Sequence, residues 1–414
     1  MKKCLVTRED AEAAKNEIEA AGVNFLLVQS CSFASGYIIQ VLARSNAYLG
    51  LWAVPEQTKE GPLPLNSFCG MNLNASIIVE YLKEYDIPFK WFYGYTDNQL
   101  FIDRFKVTVR ALTAIVNLRN SRIGQIGGIA AGFDNFYYDE RILEKKYGVK
   151  VNRLLEFGDI KNKALSYKTD DLKSIINQVR SEASCISPIA EEALEKHARI
   201  FKALKDIKEE GGYSALAVSC WPKFRIELGA VPCAAIGRLN DEGIVTTCEG
   251  DVYSAVSMLL LKYAADYPSI LMDLSDFDVN DETVFLWHCG VGSRYYARQG
   301  KIDLEPHFNP GPYVEGKGWM TMGPVASMVF AENEATVMRL TKEGSSMLLL
   351  TGKFGDGSKQ SHDGSRGWFG DIRMNGEKIG MKDLVNTLLV QGFQHHYPLV
   401  RGSFVDEMME IAAW

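Results

Sequence analysis

The sequence predicts an α/β protein with two Rossmann-like α/β domains followed by a mostly antiparallel, β-barrel-like C-terminal domain. Three observations predict this class. Helix and strand signals alternate through residues 1–118, a second alternating block covers 119–269, and residues 270–414 contain short strand candidates separated by Gly and Pro. Alternating helices and strands are typical of parallel sheets covered by helices, whereas many short strands are typical of barrels.

The first block predicts a helix over 7–21, capped by Thr7 and stopped by Gly22, and then an apolar strand over 23–30. The same alternation returns further along the chain. Helices are expected near 35–44, 77–85 and 100–118, and strands near 48–54 and 88–93. This order predicts a parallel sheet.

The second block begins at Arg122 and repeats the pattern. Strands are predicted near 150–156 and 213–219, with amphipathic helices near 170–182 and 188–208 between them. The apolar segment 252–265 contains Lys262 and is shorter than a bilayer crossing, so it is expected to be a buried core helix.

The third block changes character. Strand candidates lie near 283–287, 318–331, 335–341 and 346–353, and two helices are predicted near 382–391 and 404–412. The Gly- and Ser-rich stretch 352–370 is expected to be a long surface connection.

Composition excludes several classes of protein. A chain of 414 residues with 47% hydrophobic residues is long enough for a large core. A net charge of −7 and a pI near 5.6 argue against a nucleic-acid partner.

The sequence has no uninterrupted apolar run of membrane-spanning length, and a charged stretch follows the first two lysines, so we expect a cytoplasmic protein without membrane association. The eight cysteines form no C-x-x-C pair, which predicts buried, reduced thiols and gives no support for a zinc-thiolate site.

Two adjacent histidines, His395 and His396, follow the predicted helix 382–391 and precede another helix. The pair is therefore expected on a connection, where binding and catalytic groups are often placed. A solvated loop or a hydrogen-bonded core imidazole remains an alternative.

Glu249 and Asp251 directly precede the apolar helix over 252–265. Acids are favoured at helix starts by the free amides and the dipole, and capping explains Asp251 well. It explains Glu249 less well, because this residue lies between a strand candidate and a glycine. Glu249 is therefore a candidate functional residue.

Asp273 follows the apolar strand candidate 269–272, and His288 ends the next apolar run. In α/β folds, sites are built at the carboxyl ends of strands, which makes both residues candidates. A core hydrogen bond remains the alternative for His288.

Together these segments resemble the L-fucose isomerase and L-arabinose isomerase superfamily. The segments are TTCEGDV (246–252), ILMD (270–273), LWHCG (286–290) and QHHY (394–397). The resemblance is strongest over about 213–290 and at the histidine pair. The separation of 24 residues between Glu249 and Asp273 is like that of the fucose branch, whereas His288 matches a further histidine of the arabinose branch.

The resemblance implies a metal-dependent aldose–ketose isomerase, an intramolecular oxidoreductase of carbohydrate metabolism, that acts on a free L-fucose- or L-arabinose-like sugar through a cis-enediol. Glu249, Asp273 and His396 would bind Mn²⁺, with Mg²⁺ or Co²⁺ as substitutes, and the two acids would exchange protons with the sugar. The predicted substrate-binding residues are His288, His395 and Trp221, although Trp221 also fits a core position. A homotrimer or homohexamer is implied as well.

Two rival functions stay open. A metal-dependent epimerase would use the same metal and enediol, and a non-catalytic sugar-binding protein could have the same fold. Nucleotide binding is not supported, because the glycines of 124–128 and 352–359 lack the spacing of phosphate-binding loops.

Overall fold

The computed structural model describes residues 4–309, 313–315, 318–319, 322–341 and 344–414. The chain divides into two compact units, one formed by Met1–Val116 with Met409–Trp414 and the other by Asn117–Met408. The predicted division into three domains at 118 and 269 stays a prediction.

The first unit contains a three-stranded parallel sheet. Its elements are α1 (Arg8–Ala20), β1 (Phe25–Ser30), α2 (Tyr37–Leu42), β2 (Tyr48–Ala53), α3 (Ser67–Ser76), β3 (Phe89–Tyr93) and α4 (Gln99–Arg119). The strand order is β1–β2–β3, and both pairings are parallel, as predicted. Buried residues of β2 such as Leu49 and Leu51 pack with Ile39 and Leu42 of α2 in one apolar core. The helix predicted near 77–85 begins earlier, because α3 runs directly into a π-helical turn over Ile77–Tyr81, and a short 3-10 turn over Lys83–Tyr85 follows. The Asn, Gly and Ser residues of α3 have weak helix propensity, so the sequence does not mark this start.

The second unit begins with helices and strands in alternation. In chain order they are β4 (Arg122–Ile126), α5 (Glu140–Tyr147), β5 (Lys150–Leu155), α6 (Phe157–Ser166), α7 (Thr169–Glu182), β6 (Cys185–Ile186), α8 (Pro188–Gly211), β7 (Ala215–Val218), α9 (Cys233–Asp241), β8 (Val245–Thr247) and α10 (Val252–Ala265). Four strands form a parallel sheet in the order β5–β4–β7–β8. The second parallel sheet is thus confirmed, and its Rossmann-like layout stays a prediction.

The rest of the second unit is rich in strands. They are β9 (Ile270–Asp278), β10 (Thr283–His288), β11 (Asp303–Glu305), β12 (Tyr313–Val314), β13 (Gly318–Trp319), β14 (Val325–Val329), β15 (Glu334–Thr341), β16 (Ser346–Phe354), β17 (Ser365–Met374), β18 (Glu377–Lys378) and β19 (His396–Arg401), with α11 (Met381–Val390) and α12 (Val405–Ala413) near the end. Six strands pair in the order β10–β9–β19–β15–β16–β17, and β17 pairs with β10. Every pairing is antiparallel, so the predicted barrel is confirmed, and closure removes the exposed edges of these strands. Residues 320–321 of the predicted strand 318–331 lie outside the described residues.

The predicted surface connection over 352–370 is wrong at both ends. Residues 352–354 belong to β16 and 365–370 belong to β17, so only 355–364 connect the two strands. Two of the glycines that suggested a loop serve close packing instead. A Cβ on Gly352 would lie 2.6 Å from the Gly370 carbonyl oxygen, and one on Gly367 would lie 2.8 Å from the Phe354 ring.

Helix α10 is buried on nearly all sides, which explains its uniform apolarity. It packs against β7 and β8 of the parallel sheet and against β15 and β19 of the barrel. Its first turn therefore lies where sheet and barrel meet. Among the described residues, no helix has the length and apolarity of a membrane span.

Candidate active site

Glu249 lies in a tight turn between β8 and α10. Its φ of +59° and the φ of +75° at Gly250 are both left-handed. A non-glycine residue in this region costs about 1–2 kcal/mol, and such strain is often found at functional sites. No other residue fits at position 250, because a Cβ there would lie 2.1 Å from the Gly128 carbonyl oxygen.

Three hydrogen bonds hold this turn in place. The Glu249 carbonyl accepts from the Ala130 amide at 3.0 Å, and the Gly250 amide donates to the Val218 carbonyl at 3.0 Å. The Gln125 side chain donates to the Gly250 carbonyl, also at 3.0 Å. The Glu249 carboxylate is therefore presented from a fixed backbone.

Asp251 caps α10, as predicted, and its carboxylate also has a wider role. Its Oδ1 accepts from the Ser254 amide at 2.9 Å, and its Oδ2 accepts from Arg339 Nη1 at 2.8 Å. Both Asp251 and Arg339 are fully buried. Burial by itself raises the pKa of Asp251, but the charge of Arg339 and the hydrogen bond from His396 outweigh it, so the net pKa is lowered.

His396 is held in one orientation by Asp251. Its Nδ1 donates to Asp251 Oδ2 at 2.9 Å, and its ring stacks on Phe136 with centroids 4.6 Å apart. A neutral imidazole that donates from Nδ1 carries its lone pair on Nε2. This Nε2 lies 3.3 Å from Glu249 Oε2 and 3.7 Å from Asp273 Oδ1. Because a lone pair facing two carboxylates is repelled by both, the arrangement favours a cation between them, either a proton or a metal ion.

Asp273 reaches this point from the barrel. It lies inside β9, opposite His396 of β19 and Trp287 of β10. Two predictions are therefore wrong: Asp273 does not end its strand, and His396 begins a strand rather than lying on a connection. The polar run after Asp273 resembles a turn in sequence because β9 becomes solvent-exposed there. Directly opposed residues on antiparallel strands have neighbouring side chains, which explains why Asp273 and His396 meet.

The other two predicted histidines lie beside these residues. His288 ends β10, as predicted, and is buried, with its Nδ1 3.3 Å from Cys289 Sγ. His395 Nε2 lies 3.2 Å from Glu249 Oε2. Burial lowers the pKa of His395, but the hydrogen bond to Glu249 and the nearby carboxylates raise it more, so the net pKa is raised.

Three buried atoms at this point have no hydrogen-bond partner within the described part of the chain. They are Asp273 Oδ1, His288 Nε2 and His396 Nε2. One ligand atom from each of these residues lies within 4.8 Å of the other two, and Glu249, His395 and His396 form a second such group. Buried polar atoms are normally satisfied, so a cluster of unsatisfied ligand atoms is the pattern expected of a metal site.

A cavity of about 290 Å³ opens onto these groups. Its walls include Glu249, Asp273, His288 and Trp221, so the predicted substrate-binding residue Trp221 faces the same space as the acids. The Arg225 guanidinium lies over the Trp221 ring, 4.7 Å from its centroid. The geometry thus brings together every residue that the sequence singled out, and their catalytic and binding roles stay predictions.

Sequence reasoning missed several residues of the cavity wall. Arg225 and His307 are buried there, and Arg225 Nη2 donates to His307 Nδ1 at 2.8 Å. Arg339 donates to the His396 carbonyl at 3.4 Å and Phe136 stacks on its ring, and neither residue lines the cavity. No local pattern marks these residues, because the segments that carry them meet only in the folded chain.

The cysteines are all free, and four of them line the cavity. Cys220 and Cys248 have sulfurs 2.9 Å apart, and those of Cys233 and Cys289 are 3.5 Å apart. The hydrogen bond between Cys233 and Cys289 lowers the pKa of Cys233 and raises the pKa of Cys289. The expectation of buried thiols is wrong for four exposed cysteines, which are Cys4, Cys31, Cys69 and Cys185.

Cys233, Cys289 and His307 form a third group whose ligand atoms lie within 4.8 Å of one another. Their spacing in the sequence does not resemble a zinc motif, so this group could not be predicted. The fixed positive charge of Arg225, bonded to His307, disfavours a second cation at this position.

Replacing Asp251 with Asn is expected to lower the free energy of unfolding by about 3 kcal/mol, because Arg339 then keeps its charge in a buried site without its partner. Chemical denaturation at pH 7 measures this change. Folding lowers the pKa of Asp251. The contribution of this carboxylate to the free energy of unfolding is therefore fully present above pH ~4, the pKa of an unfolded Asp, and is lost as the pH falls through its lower pKa in the folded protein.

The matched control is Asp139→Asn, which changes the partly buried cap of α5. Asn caps helices about as well as Asp, so little change is expected there. Equal effects of the two substitutions would contradict the role given to Asp251.

No protein-family model matches the chain. The chain is 26% identical over 398 residues to a sulfoquinovose isomerase from Alkalicoccus urumqiensis, covering 93% of this chain and 83% of the relative. It is 24% identical over 409 residues to a sulfoquinovose isomerase from Priestia aryabhattai, covering 97% and 86%. A sulfoquinovose isomerase from Clostridium sp. (strain MSTE9) is 24% identical over 395 residues, covering 94% and 83%.

These relatives indicate an isomerase enzyme that acts on a sugar, and the enzyme class predicted from the sequence is confirmed. A small sugar is accordingly a plausible substrate. The superfamily suggested by the motifs, the metal, the homotrimer or homohexamer and the cytoplasmic location stay predictions.

Proposed function

We propose that this chain is a metal-dependent isomerase that converts an aldose to a ketose through a cis-enediol. The observation that carries the proposal is the approach of two carboxylates, Glu249 and Asp273, to the unsatisfied Nε2 of His396. One imidazole with two carboxylates is a donor set that suits Mn²⁺, with Mg²⁺ or Co²⁺ as substitutes.

The residues present fit such an ion. Asp251 holds the His396 ring with its lone pair toward the acids, as the outer partners of metal-binding histidines commonly do. The unsatisfied Nε2 of His288 adds a fourth donor on the same side. When bound, a divalent cation supplies Lewis-acid polarisation of the sugar carbonyl.

Glu249 and Asp273 are the groups that move protons. Isomerisation transfers one proton between C1 and C2 and another between their oxygens, so it needs two acid–base groups beside the sugar. Both carboxylates line the cavity, and the turn and the strand that carry them are held by backbone hydrogen bonds. His396 is hydrogen-bonded to Asp251 through Nδ1 and acts as a ligand of the ion rather than as an acid or base. His288 binds either the ion or a substrate hydroxyl.

We further propose sulfoquinovose, a hexose with a sulfonate on C6, as the substrate. The names of the relatives support it, since the similarity covers 93–97% of this chain. The buried Arg225 in the cavity wall supports an anionic substrate as well. An L-fucose- or L-arabinose-like sugar, which the motifs suggested, has no such charge.

The proposal predicts the product of the reaction. Incubating the purified protein and Mn²⁺ with sulfoquinovose is expected to give the C2 signal of a ketose in the carbon NMR spectrum, beside the remaining C1 signals of the aldose. In D₂O the ketose should carry deuterium at C1 if the proton transferred from C2 exchanges with solvent before it reaches C1.

The rival functions give other spectra. An epimerase produces new aldose C1 signals without a ketose, and a sugar-binding protein changes nothing. Either result, with sulfoquinovose, L-fucose and L-arabinose all tested, would contradict the proposed isomerase.

A further inference from the structure

The wall of the candidate site carries an arginine in addition to its acids. Arg225 lies on the short helical turn Phe224–Leu228 that follows β7, and only 6% of its surface is exposed. Burial lowers its pKa, yet a guanidinium stays protonated at neutral pH. The cavity that holds Glu249 and Asp273 therefore also contains a buried positive charge.

Two neighbours fix the orientation of this guanidinium. Its carbon lies 4.7 Å from the centroid of the Trp221 ring, which covers one face. Its Nη2 donates to His307 Nδ1 at 2.8 Å, and the Asn309 amide donates to the same nitrogen at 3.0 Å. The same Nη2 also lies 3.3 Å from His307 Nε2, so one edge of the imidazole ring holds the guanidinium in place.

Arg225 thus brings N–H donors and positive charge to the same cavity as the acids. A planar guanidinium matches the paired oxygens of a sulfonate or phosphate, and charge-assisted bonds of this kind are about twice as strong as neutral ones.

We propose that Arg225, supported by His307 and positioned by Trp221, binds the sulfonate on C6 of the sugar and selects anionic over neutral aldoses. This inference rests on the proposed isomerase function and adds the residues that determine its specificity. Trp221 then acts by stacking on Arg225, in addition to any contact with the sugar ring.

The test compares Arg225→Gln with wild type on sulfoquinovose and on quinovose, its 6-deoxy analogue without the sulfonate, in the presence of Mn²⁺. We expect wild type to prefer sulfoquinovose by about 100-fold in kcat/KM, since a site built for a polar group discriminates strongly against its absence. Arg225→Gln should lose about 100-fold on sulfoquinovose, chiefly through KM, so that its preference for sulfoquinovose over quinovose falls close to one.

Two further variants support the comparison. Arg8→Gln, which removes an exposed arginine of α1 outside the cavity, should behave as wild type with both sugars. If Arg225→Gln does not fold, His307→Gln replaces it and should reduce the preference for sulfoquinovose in the same direction.

The outcomes separate the inference from the proposed function. Wild type that isomerises quinovose without preferring sulfoquinovose, or variants that keep the full preference, would overturn the sulfonate site while leaving the isomerase intact. Equal or better use of glucose 6-phosphate would overturn the sulfonate in favour of a phosphate. Wild type inactive on every aldose would overturn the proposed function itself.

Discussion

Glu249→Gln is expected to lower kcat/KM by at least about 1,000-fold, equivalent to about 4 kcal/mol of transition-state stabilisation. Glutamine has nearly the same shape as glutamate and leaves the left-handed turn unchanged, so the fold should remain intact. It cannot act as a base, and it is a weaker ligand for a divalent cation. Steady-state kinetics and circular dichroism on the same preparation measure the two effects.

Glu210→Gln is the matched control. Glu210 lies near the end of α8, is paired with Lys163 and is exposed to solvent, so the same chemical change there should leave turnover unaltered. A Glu249→Gln variant that isomerises sugar at the wild-type rate would remove Glu249 from the mechanism.

Metal removal is the second change with a large expected effect. Protein dialysed against a chelator should lose its turnover almost completely, because the carbonyl is then no longer polarised. Far-UV circular dichroism should be unchanged, since the cluster lies on strands and a turn held by their own hydrogen bonds. Added Mn²⁺ should restore activity, with Mg²⁺ or Co²⁺ as weaker substitutes.

Binding of Mn²⁺ should also stabilise the folded protein, because the ion binds the folded state and not the unfolded chain. At 100 times the dissociation constant, Mn²⁺ is expected to add about 2.7 kcal/mol to the free energy of unfolding. His396→Asn, which removes the shared nitrogen, should show no such gain. Chelated protein that keeps full turnover would rule out a metal-dependent reaction.

The parallel sheets and the barrel were predictable because they follow from local patterns. Alternating helix and strand signals before about residue 270, and short strands after it, reflect the periods of the elements themselves. Glu249 could also be singled out locally, since it precedes a glycine and is not needed as a cap. Its left-handed backbone is consistent with that interpretation.

The meeting of Asp273 and His396 could not be derived from local pattern. These residues are 123 positions apart, and they are neighbours because β9 and β19 pair in a register that places Asp273 opposite His396. A shift of that register by one residue would turn one of the two side chains to the other face. Only the resemblance to known isomerases related the two positions in advance.

The second role of Asp251 was hidden for a different reason. Capping alone explains an acid at this position, so nothing in the sequence called for a further partner. In the folded chain, the same carboxylate caps α10, neutralises Arg339 and orients His396. Arg225 and His307 were missed because they lie 82 residues apart and no spacing links them.

The most direct measurement is anomalous diffraction at the manganese edge from crystals grown with Mn²⁺. We expect one strong peak within about 2.5 Å of a Glu249 oxygen, an Asp273 oxygen and His396 Nε2. A peak that contacts none of the three, or one on Cys233, Cys289 and His307 instead, would contradict a catalytic cation held by these two acids and this imidazole.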